Sequence, residues 1–185
     1  MDKYYLIKST RPLDFLTIET LMDNHEGLYS LNMVDPNLCY FRHDDAIEGK
    51  LLNYLRLPHS GNISILVAPY DDDFMLSLLD DALAYFPNTM VFPHDVIMKQ
   101  IGFGNYSSFQ PLRDYFARVP LDLLETAGAY LRAGLNGLKA AETLYIHRNT
   151  FNARISNFIS LTALDIRDYH NALLLEFYFQ LSLRR

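Results

Sequence analysis

The stretch NGLKAAETLYIHRNTFNARISNFIS, residues 136–160, decides the fold of the last third of the chain. Asn136 is placed to cap a short helix, and a tight turn at 145–147 separates that helix from another over 148–160. Two helices that cross steeply need a small residue at the crossing, and Ala141 supplies it. The apolar residues of the second helix share one face, namely Phe151, Ile155, Phe158 and Ile159. This spacing predicts a helix-turn-helix.

The opposite face of the second helix is polar, and its N-terminal turn is the part that a recognition helix inserts into the major groove. The residues on this face are of types that bond phosphate oxygens or base edges. The helix before it adds a lysine. We therefore expect DNA contacts from Lys139, His147, Arg148, Asn149, Thr150, Asn152 and Arg154. The competing interpretation is a plain helix start, in which His or Asn caps the helix and Arg is solvated.

Two further helices flank this pair. Leu121–Arg132 has one apolar face, and Gly134 follows as a stop signal. Asp168 or Tyr169 opens a last helix that runs to about Leu183 and is apolar on nearly every face, which predicts burial all round. That helix packs across the core or also forms a subunit interface. Because symmetric dimers are common and helix-turn-helix proteins usually read paired half-sites, we expect a homodimer.

The last 60 or so residues also carry a family pattern. The matching positions are Tyr130-Leu131, Asn136, Ala140-Ala141, Leu144, Ile146, His147-Arg148-Asn149-Thr150, Arg154, Ile155 and Leu164-Asp165. This stretch resembles the C-terminal helix-turn-helix of the PucR/CdaR regulators of purine catabolism and sugar-diacid use. The resemblance implies a bacterial, DNA-binding transcriptional regulator in which Arg148, Asn149, Thr150 and Arg154 face DNA.

The chain departs from this family pattern at several positions. Phe151 stands where Leu is usual, Ala153 where Tyr is common, and Ala163 where the following turn has Gly. Positions that are often basic in the family hold Asn152, Ser156 and Asn157. The helix over 148–160 therefore keeps only two arginines.

Short strand-like and helix-like runs alternate in the first hundred residues. The predicted strands are 3–9, 27–34, 38–43, 62–69 and 88–93, and the predicted helices are 13–24, 45–56 and 71–86. The first six elements match the split β-α-β, or ferredoxin-like, arrangement. Some relatives of the PucR/CdaR family carry a GGDEF-like nucleotide-cyclase fold here. Since the Gly-Gly-[Asp/Glu]-Glu-Phe motif is missing, the analogy extends only to a shortened, inactive version.

These patterns together predict an α+β chain. An N-terminal α/β domain of ferredoxin-like or GGDEF-like type, residues 1–101 and of unknown role, precedes a connection at 102–120. The connection contains glycines, serines and two prolines, with a short helix near 112–118. An all-α helix-turn-helix domain follows at 121–185.

Composition excludes several classes of protein. The chain has 185 residues, of which 50% are hydrophobic, so a disordered polymer is excluded. No apolar run reaches the roughly 20 residues that a membrane helix needs, and the first residues lack the features of a signal peptide. We therefore expect a cytoplasmic protein without a membrane partner. The single cysteine, Cys39, excludes an internal disulfide and a cysteine-rich zinc site.

The formal net charge of −6 is unevenly distributed along the chain. Residues 1–120 hold 16 acidic and 9 basic side chains, a balance of −7, whereas residues 121–185 hold 6 and 7, a balance of +1. An acidic protein is an unusual nucleic-acid binder. The acidity belongs to the first part, and the near-neutral helical module would bind DNA weakly as a monomer.

Other candidate sites have ordinary structural interpretations. Asp71-Asp72-Asp73 is a divalent-metal site or, as we favour, a helix N-terminus whose dipole accommodates carboxylates. Cys39 with His43 is a catalytic pair or, as we favour, part of an apolar strand. The sequence Gly102-Phe103-Gly104 predicts a turn. The scattered histidines are His25, His59 and His94. We expect no enzyme activity and no cofactor, and the sequence identifies no effector. The alternative function is a non-enzymatic ligand- or protein-binding module whose helix-turn-helix serves packing or dimerisation.

Overall fold

The computed structural model describes residues 3–23, 31–43 and 61–182. The chain divides into two compact units, Met1–Tyr106 and Ser107–Arg185. The first is built on a sheet and the second is helical, so the predicted α+β class is confirmed. The helix predicted over 45–56 and most of the strand predicted over 27–34 lie outside the described residues. The predicted domain boundaries at 101 and 120 stay predictions.

A five-stranded sheet with the order β2-β3-β1-β4-β5 forms the centre of the first unit. The strands are β1 (Lys3–Ser9), β2 (Asn32–Asp35), β3 (Leu38–His43), β4 (Ile63–Ala68) and β5 (Thr89–Val91). Neighbours among the first four strands are antiparallel, and β5 runs parallel to β4. The helix α1 (Phe15–Asp23) follows β1, and β3 lies between β1 and β2. This is the split connection that the ferredoxin-like prediction requires.

The hydrophobic core of the first unit includes the buried side chains of the central strands of the sheet. All six residues of β4 are buried, as its apolar, β-branched sequence predicts for a central strand. On β1, Tyr5 pairs directly with Phe41 of β3, and their rings stack with centroids 5.2 Å apart. Such cross-strand aromatic pairs stabilise a sheet beyond the area that they bury.

The helices of the first unit differ from the prediction in two ways. The helix predicted over 71–86 is divided at Leu78 into α2 (Asp73–Ser77) and α3 (Leu79–Tyr85). The strand predicted over 88–93 ends at Val91, and α4 (Pro93–Gly102) begins directly after it. Two local signals for α4 are a proline at its first position and the carboxylate of Asp95, which accepts the Phe92 amide at 2.9 Å.

The described residues of the second unit, 107–182, form five helices: α5 (Phe109–Ala117), α6 (Leu121–Arg132), α7 (Gly137–Thr143), α8 (Arg148–Thr162) and α9 (Tyr169–Ser182). The predicted bounds of α6 agree with the structure. The prediction of a short helix near 112–118 corresponds to α5, which starts three residues earlier. No helix among residues 3–23, 31–43 and 61–182 has the length and apolar character needed to cross a membrane.

Phe116 of α5 is the centre of the second unit's core. It is fully buried, with its ring 4.5 Å from that of Tyr178 and 6.4 Å from that of Phe158. The hydroxyl of the neighbouring Tyr115 donates to the carbonyl of Thr162. The segment predicted as a connection therefore supplies core residues to the helical unit. Burial requires contacts with distant elements, and composition alone does not show those contacts.

The terminal helix α9 is less buried than its sequence predicts. Its buried residues are Ala172, Leu174, Leu175 and Leu181, whereas Leu173, Phe177, Tyr178 and Phe179 are half-buried. Phe179 lies against Gly128 of α6, where a Cβ atom would stand 3.1 Å from the ring. The lack of a side chain at position 128 therefore permits this close contact between the two helices.

Candidate nucleic-acid interface

The first helix of the predicted pair begins as the sequence indicates. The side chain of Asn136 accepts the backbone amide of Lys139 at 3.1 Å, which satisfies one of the free donors at the start of α7. Ala140 and Ala141 are buried, and Lys139 is exposed. Small residues at this point permit α7 to pack closely against its neighbours.

Two backbone hydrogen bonds in the turn between α7 and α8 cap the C-terminal end of α7. The amide of Tyr145 donates to the carbonyl of Glu142 at 3.1 Å, and the amide of Ile146 donates to that of Ala141 at 3.0 Å. This pair of bonds defines the Schellman motif, in which the residue directly after the helix C-cap adopts a left-handed backbone conformation. That residue is Tyr145, with φ of 54°, and its side chain is 96% exposed.

The next helix, α8, begins with a histidine cap. Nδ1 of His147 accepts the amide of Asn149 at 3.2 Å, so the ring satisfies one of the free donors of the first turn. Because Nδ1 accepts this bond, the hydrogen of a neutral imidazole is on Nε2, which can donate to another partner. The four consecutive residues His147, Arg148, Asn149 and Thr150 are all exposed.

The buried face of α8 follows the predicted period. Phe151, Ile155 and Phe158 are buried, and Ile159 is partly buried. The ring of Phe151 packs against that of Tyr130 on α6, with centroids 5.7 Å apart. This packing fixes which side of α8 faces solvent.

The structure exposes most of the residues predicted to contact DNA. Those on the surface are Lys139, His147, Arg148, Asn149, Thr150 and Asn152. Arg154 differs from the predicted outward orientation, because its side chain bends towards α6. Its Nε lies 3.5 Å from the carboxylate of Asp122, and its guanidinium donates to the hydroxyl of Thr126 at 3.4 Å. Periodicity predicted Arg154 on the outer, polar side of the helix, but its acidic partner on α6 is a tertiary contact that periodicity does not show.

The remaining candidate sites take structural roles. Asp72 accepts the amide of Met75 at 3.0 Å and so caps α2, as predicted. Cys39 is fully buried in β3, and burial raises its pKa to about 12, so little of the thiol is in the thiolate form at neutral pH. Gly104, with φ of 72°, ends α4 in the predicted turn. Among the described residues, no group of three or more His, Cys, Asp or Glu side chains could hold a metal ion. The candidates His25 and His59 lie outside the described residues.

Comparisons with known proteins support the assignment of the helical region. The chain is similar to the crystal structure of the Regulator of Polyketide Synthase Expression from Bifidobacterium adolescentis, with a TM-score of 0.50 and 15% identity over 100% of this chain and 83% of that one. At this identity the likeness shows the fold alone. No curated protein matches the chain. The family model of the PucR C-terminal helix-turn-helix domain matches residues 123–181. The resemblance predicted from the sequence is thus confirmed: residues 123–181 match the PucR C-terminal helix-turn-helix domain.

Proposed function

We propose that the protein is a DNA-binding transcriptional regulator that inserts the N-terminal turn of α8 into the major groove. The run of exposed residues from His147 to Thr150 is the observation that carries this proposal, because a recognition helix that enters the major groove uses mainly its N-terminal turn. The PucR-type match over the same helices supports it. The solved regulator from Bifidobacterium adolescentis agrees in fold.

Each exposed residue has a role that its chemistry favours. Arg148 and Lys139 are cations and would neutralise phosphates. Asn149, Thr150 and Asn152 carry donors and acceptors that reach base edges or bond to the DNA backbone. His147, whose Nδ1 is already engaged, would donate from Nε2 to a phosphate oxygen.

Arg154 is the seventh candidate, and its present partners give it a conditional role. A phosphate would have to replace Asp122, whose carboxylate lies 3.5 Å from Nε of Arg154. Both side chains are partly exposed, at 31% for Arg154 and 53% for Asp122, so the pair is weak enough to exchange.

A dimer is part of the same proposal. Lysines and arginines are few in residues 121–185, with 7 against 6 acidic residues. Two copies on paired half-sites double the number of phosphate contacts without any new residue. We further propose a non-enzymatic, cytoplasmic protein of bacterial type without a cofactor, in which residues 1–101 form an α/β domain of unknown role.

Selection of bound duplexes from a random pool tests the proposal, followed by a salt series on the recovered duplex. The protein should bind this duplex, and the logarithm of its affinity should fall linearly with the logarithm of the salt concentration. Arg148→Ala should weaken binding and reduce the slope by about 0.9 for each lost phosphate contact. Arg11→Ala, an exposed arginine of the first unit, is the matched control and should leave the slope unchanged. Binding that is insensitive to salt and to Arg148→Ala would overturn the proposal.

One observation favours the alternative function. Within α8, Arg154 is engaged with Asp122, so Arg148 is the arginine that remains exposed on that helix. A helix with so little charge suits a module that binds a ligand or protein and uses its helix-turn-helix for packing or dimerisation. Absence of salt-dependent binding to every duplex, together with a stable dimer in sedimentation, would favour this function.

A further inference from the structure

We infer that Tyr145, in the turn between α7 and α8, is an additional DNA-contact residue whose phenolic hydroxyl donates to a phosphate of the duplex. This inference rests on the proposed function, since it requires α8 to enter a groove. It concerns a residue outside the exposed run from His147 to Thr150.

The first argument is a comparison of helix ends within the chain. α6 ends in the same motif as α7, with the amide of Gly134 donating to Leu131 at 2.9 Å and that of Leu135 donating to Tyr130 at 3.0 Å. The residue that corresponds to Tyr145 is there Gly134, with φ of 66°, and Leu135 after it also has a positive φ, of 60°. Glycine is the usual residue because it has no Cβ to oppose this conformation.

The end of α4 has the same pair of hydrogen bonds. The amide of Gly104 donates to Ile101 at 3.0 Å, that of Asn105 donates to Gln100 at 2.8 Å, and the left-handed residue is again a glycine. Two helix ends of this chain therefore use glycine where α7 uses Tyr145. A bulky residue with positive φ is uncommon and strained.

The second argument is that the Tyr145 side chain does nothing for the core. It is 96% exposed, which is the largest exposed fraction among the exposed large hydrophobic side chains of the described residues. Its backbone hydrogen bond to Glu142 would form equally well with glycine. Neither the turn nor the packing explains why a tyrosine stands here, so we look for its role in binding.

The third argument is its position and chemistry. Tyr145 precedes His147 and Arg148 by two and three residues, directly before the turn that enters the groove in the proposed complex. Tyrosine hydroxyls are common donors to phosphate oxygens. A neutral donor adds a contact without adding charge, which suits a module whose basic residues are few.

Two variants separate binding from folding. Tyr145→Phe removes only the hydroxyl, and Tyr145→Gly removes the side chain and the conformational strain together. Tyr169→Phe removes the hydroxyl of another exposed tyrosine in the same unit and is the matched control. Each full-length variant is titrated over a salt series with a 40-base-pair random-sequence duplex pool and with the duplex recovered by selection. Melting is followed by circular dichroism.

We expect Tyr145→Phe to weaken binding about three- to tenfold at every salt concentration, in line with one lost hydrogen bond. The slope of log affinity against log salt should not change, because a phenol releases no counterion. Tyr145→Gly should weaken binding at least as much, yet melt no lower than the wild type. Tyr169→Phe should bind like the wild type.

The other outcomes overturn the inference in distinguishable ways. Wild-type affinity in Tyr145→Phe, while Arg148→Ala still reduces the salt slope, rejects the role of Tyr145 and leaves the proposed function standing. A lower melting temperature for Tyr145→Gly shows that the tyrosine stabilises the fold, and this also rejects the inference. If the wild type binds no duplex in a salt-dependent way, the proposed function and the inference fail together.

Discussion

Gly137 and Phe151 fit together so closely that a Cβ atom at position 137 would stand 2.9 Å from Cε1 of the ring. The ring cannot easily retreat, because it is only 3% exposed and packs on Tyr130. Phe151 also stands where the resembling family usually has Leu. The absence of a side chain on α7 therefore makes room for the larger side chain on α8.

This contact predicts non-additive effects on stability. Gly137→Ala should destabilise the protein by about 1–2 kcal/mol, because overpacking outweighs the gain of up to about 1 kcal/mol that alanine gives a helix. In a Phe151→Leu background the same change should be neutral or stabilising. A double-mutant cycle from thermal or chemical unfolding measures the coupling, which we expect to be about 1–2 kcal/mol.

Gly102→Ala is the matched control for this cycle. Position 102 is also in a helix, and a Cβ atom there would meet no heavy atom within 4 Å. This variant should not lose stability. Additive effects of Gly137→Ala and Phe151→Leu would contradict the steric explanation.

A second prediction concerns the end of α8. Ala163 adopts a left-handed conformation with φ of 52°, which is costly for any residue with a Cβ atom. Ala163→Gly should therefore stabilise the protein by about 0.5–1 kcal/mol, measured as a rise in Tm. Ala133 ends α6 with φ of −79°, so Ala133→Gly should lower Tm instead. Equal shifts in the two variants would rule out relief of backbone strain.

A third prediction concerns the pair of Arg154 and Asp122. If Asp122 competes with phosphate for Arg154, Asp122→Asn should raise DNA affinity and steepen the salt slope by about 0.9. The change also removes one negative charge, which would raise affinity in a general way. Glu125→Gln, an exposed carboxylate on the same helix, controls for that effect. Identical slopes for the two variants would mean that Arg154 gains no phosphate contact.

A fourth prediction follows from the turn after α8. Burial raises the pKa of Asp165, but hydrogen bonds and charge from Arg167 outweigh it, so the net pKa lies below its ordinary value. The guanidinium donates to both carboxylate oxygens, at 2.7 and 2.6 Å. A lowered pKa in the folded state stabilises the protein above the unfolded-state pKa of about 3.9, and this contribution is lost as pH falls through the folded-state pKa.

Asp165→Asn should therefore lower Tm at pH 7. The difference in Tm between this variant and the wild type should become smaller below about pH 4. Arg167→Gln removes the other partner and should show the same narrowing. Thermal unfolding of the three proteins between pH 3 and 7 measures the effect. A difference that stays constant over this range would exclude ionisation of Asp165 as its source.

Local sequence signals account for much of this fold. The helix start at Asn136 and the buried period of Phe151, Ile155 and Phe158 depend on neighbours in sequence, and each is found in the structure. The unpredicted helix α4 had local signals as well, in Pro93 and Asp95. The order of the first four strands also agrees with the pattern of elements.

Features that depend on distant partners escaped prediction. Arg154 and Asp122 lie on different helices and are 32 positions apart in the sequence. The hydrophobic period of either helix alone does not reveal their contact. The core role of Phe116 depends on Tyr178 and Phe158 in the same way. Tyr145 could have been noticed as a non-glycine residue two positions after the end of a short helix, but only its φ of 54° and its exposure make it a candidate.

The burial of Cys39 has a practical consequence for work on this protein. Its thiol is the single one in the chain, and a pKa near 12 leaves almost no thiolate at neutral pH. The folded protein should therefore resist maleimides and iodoacetamides without any prior removal of cysteine. A cysteine introduced at exposed Ser156 of α8 would react selectively, and a fluorophore attached there would report how close that helix comes to a labelled duplex.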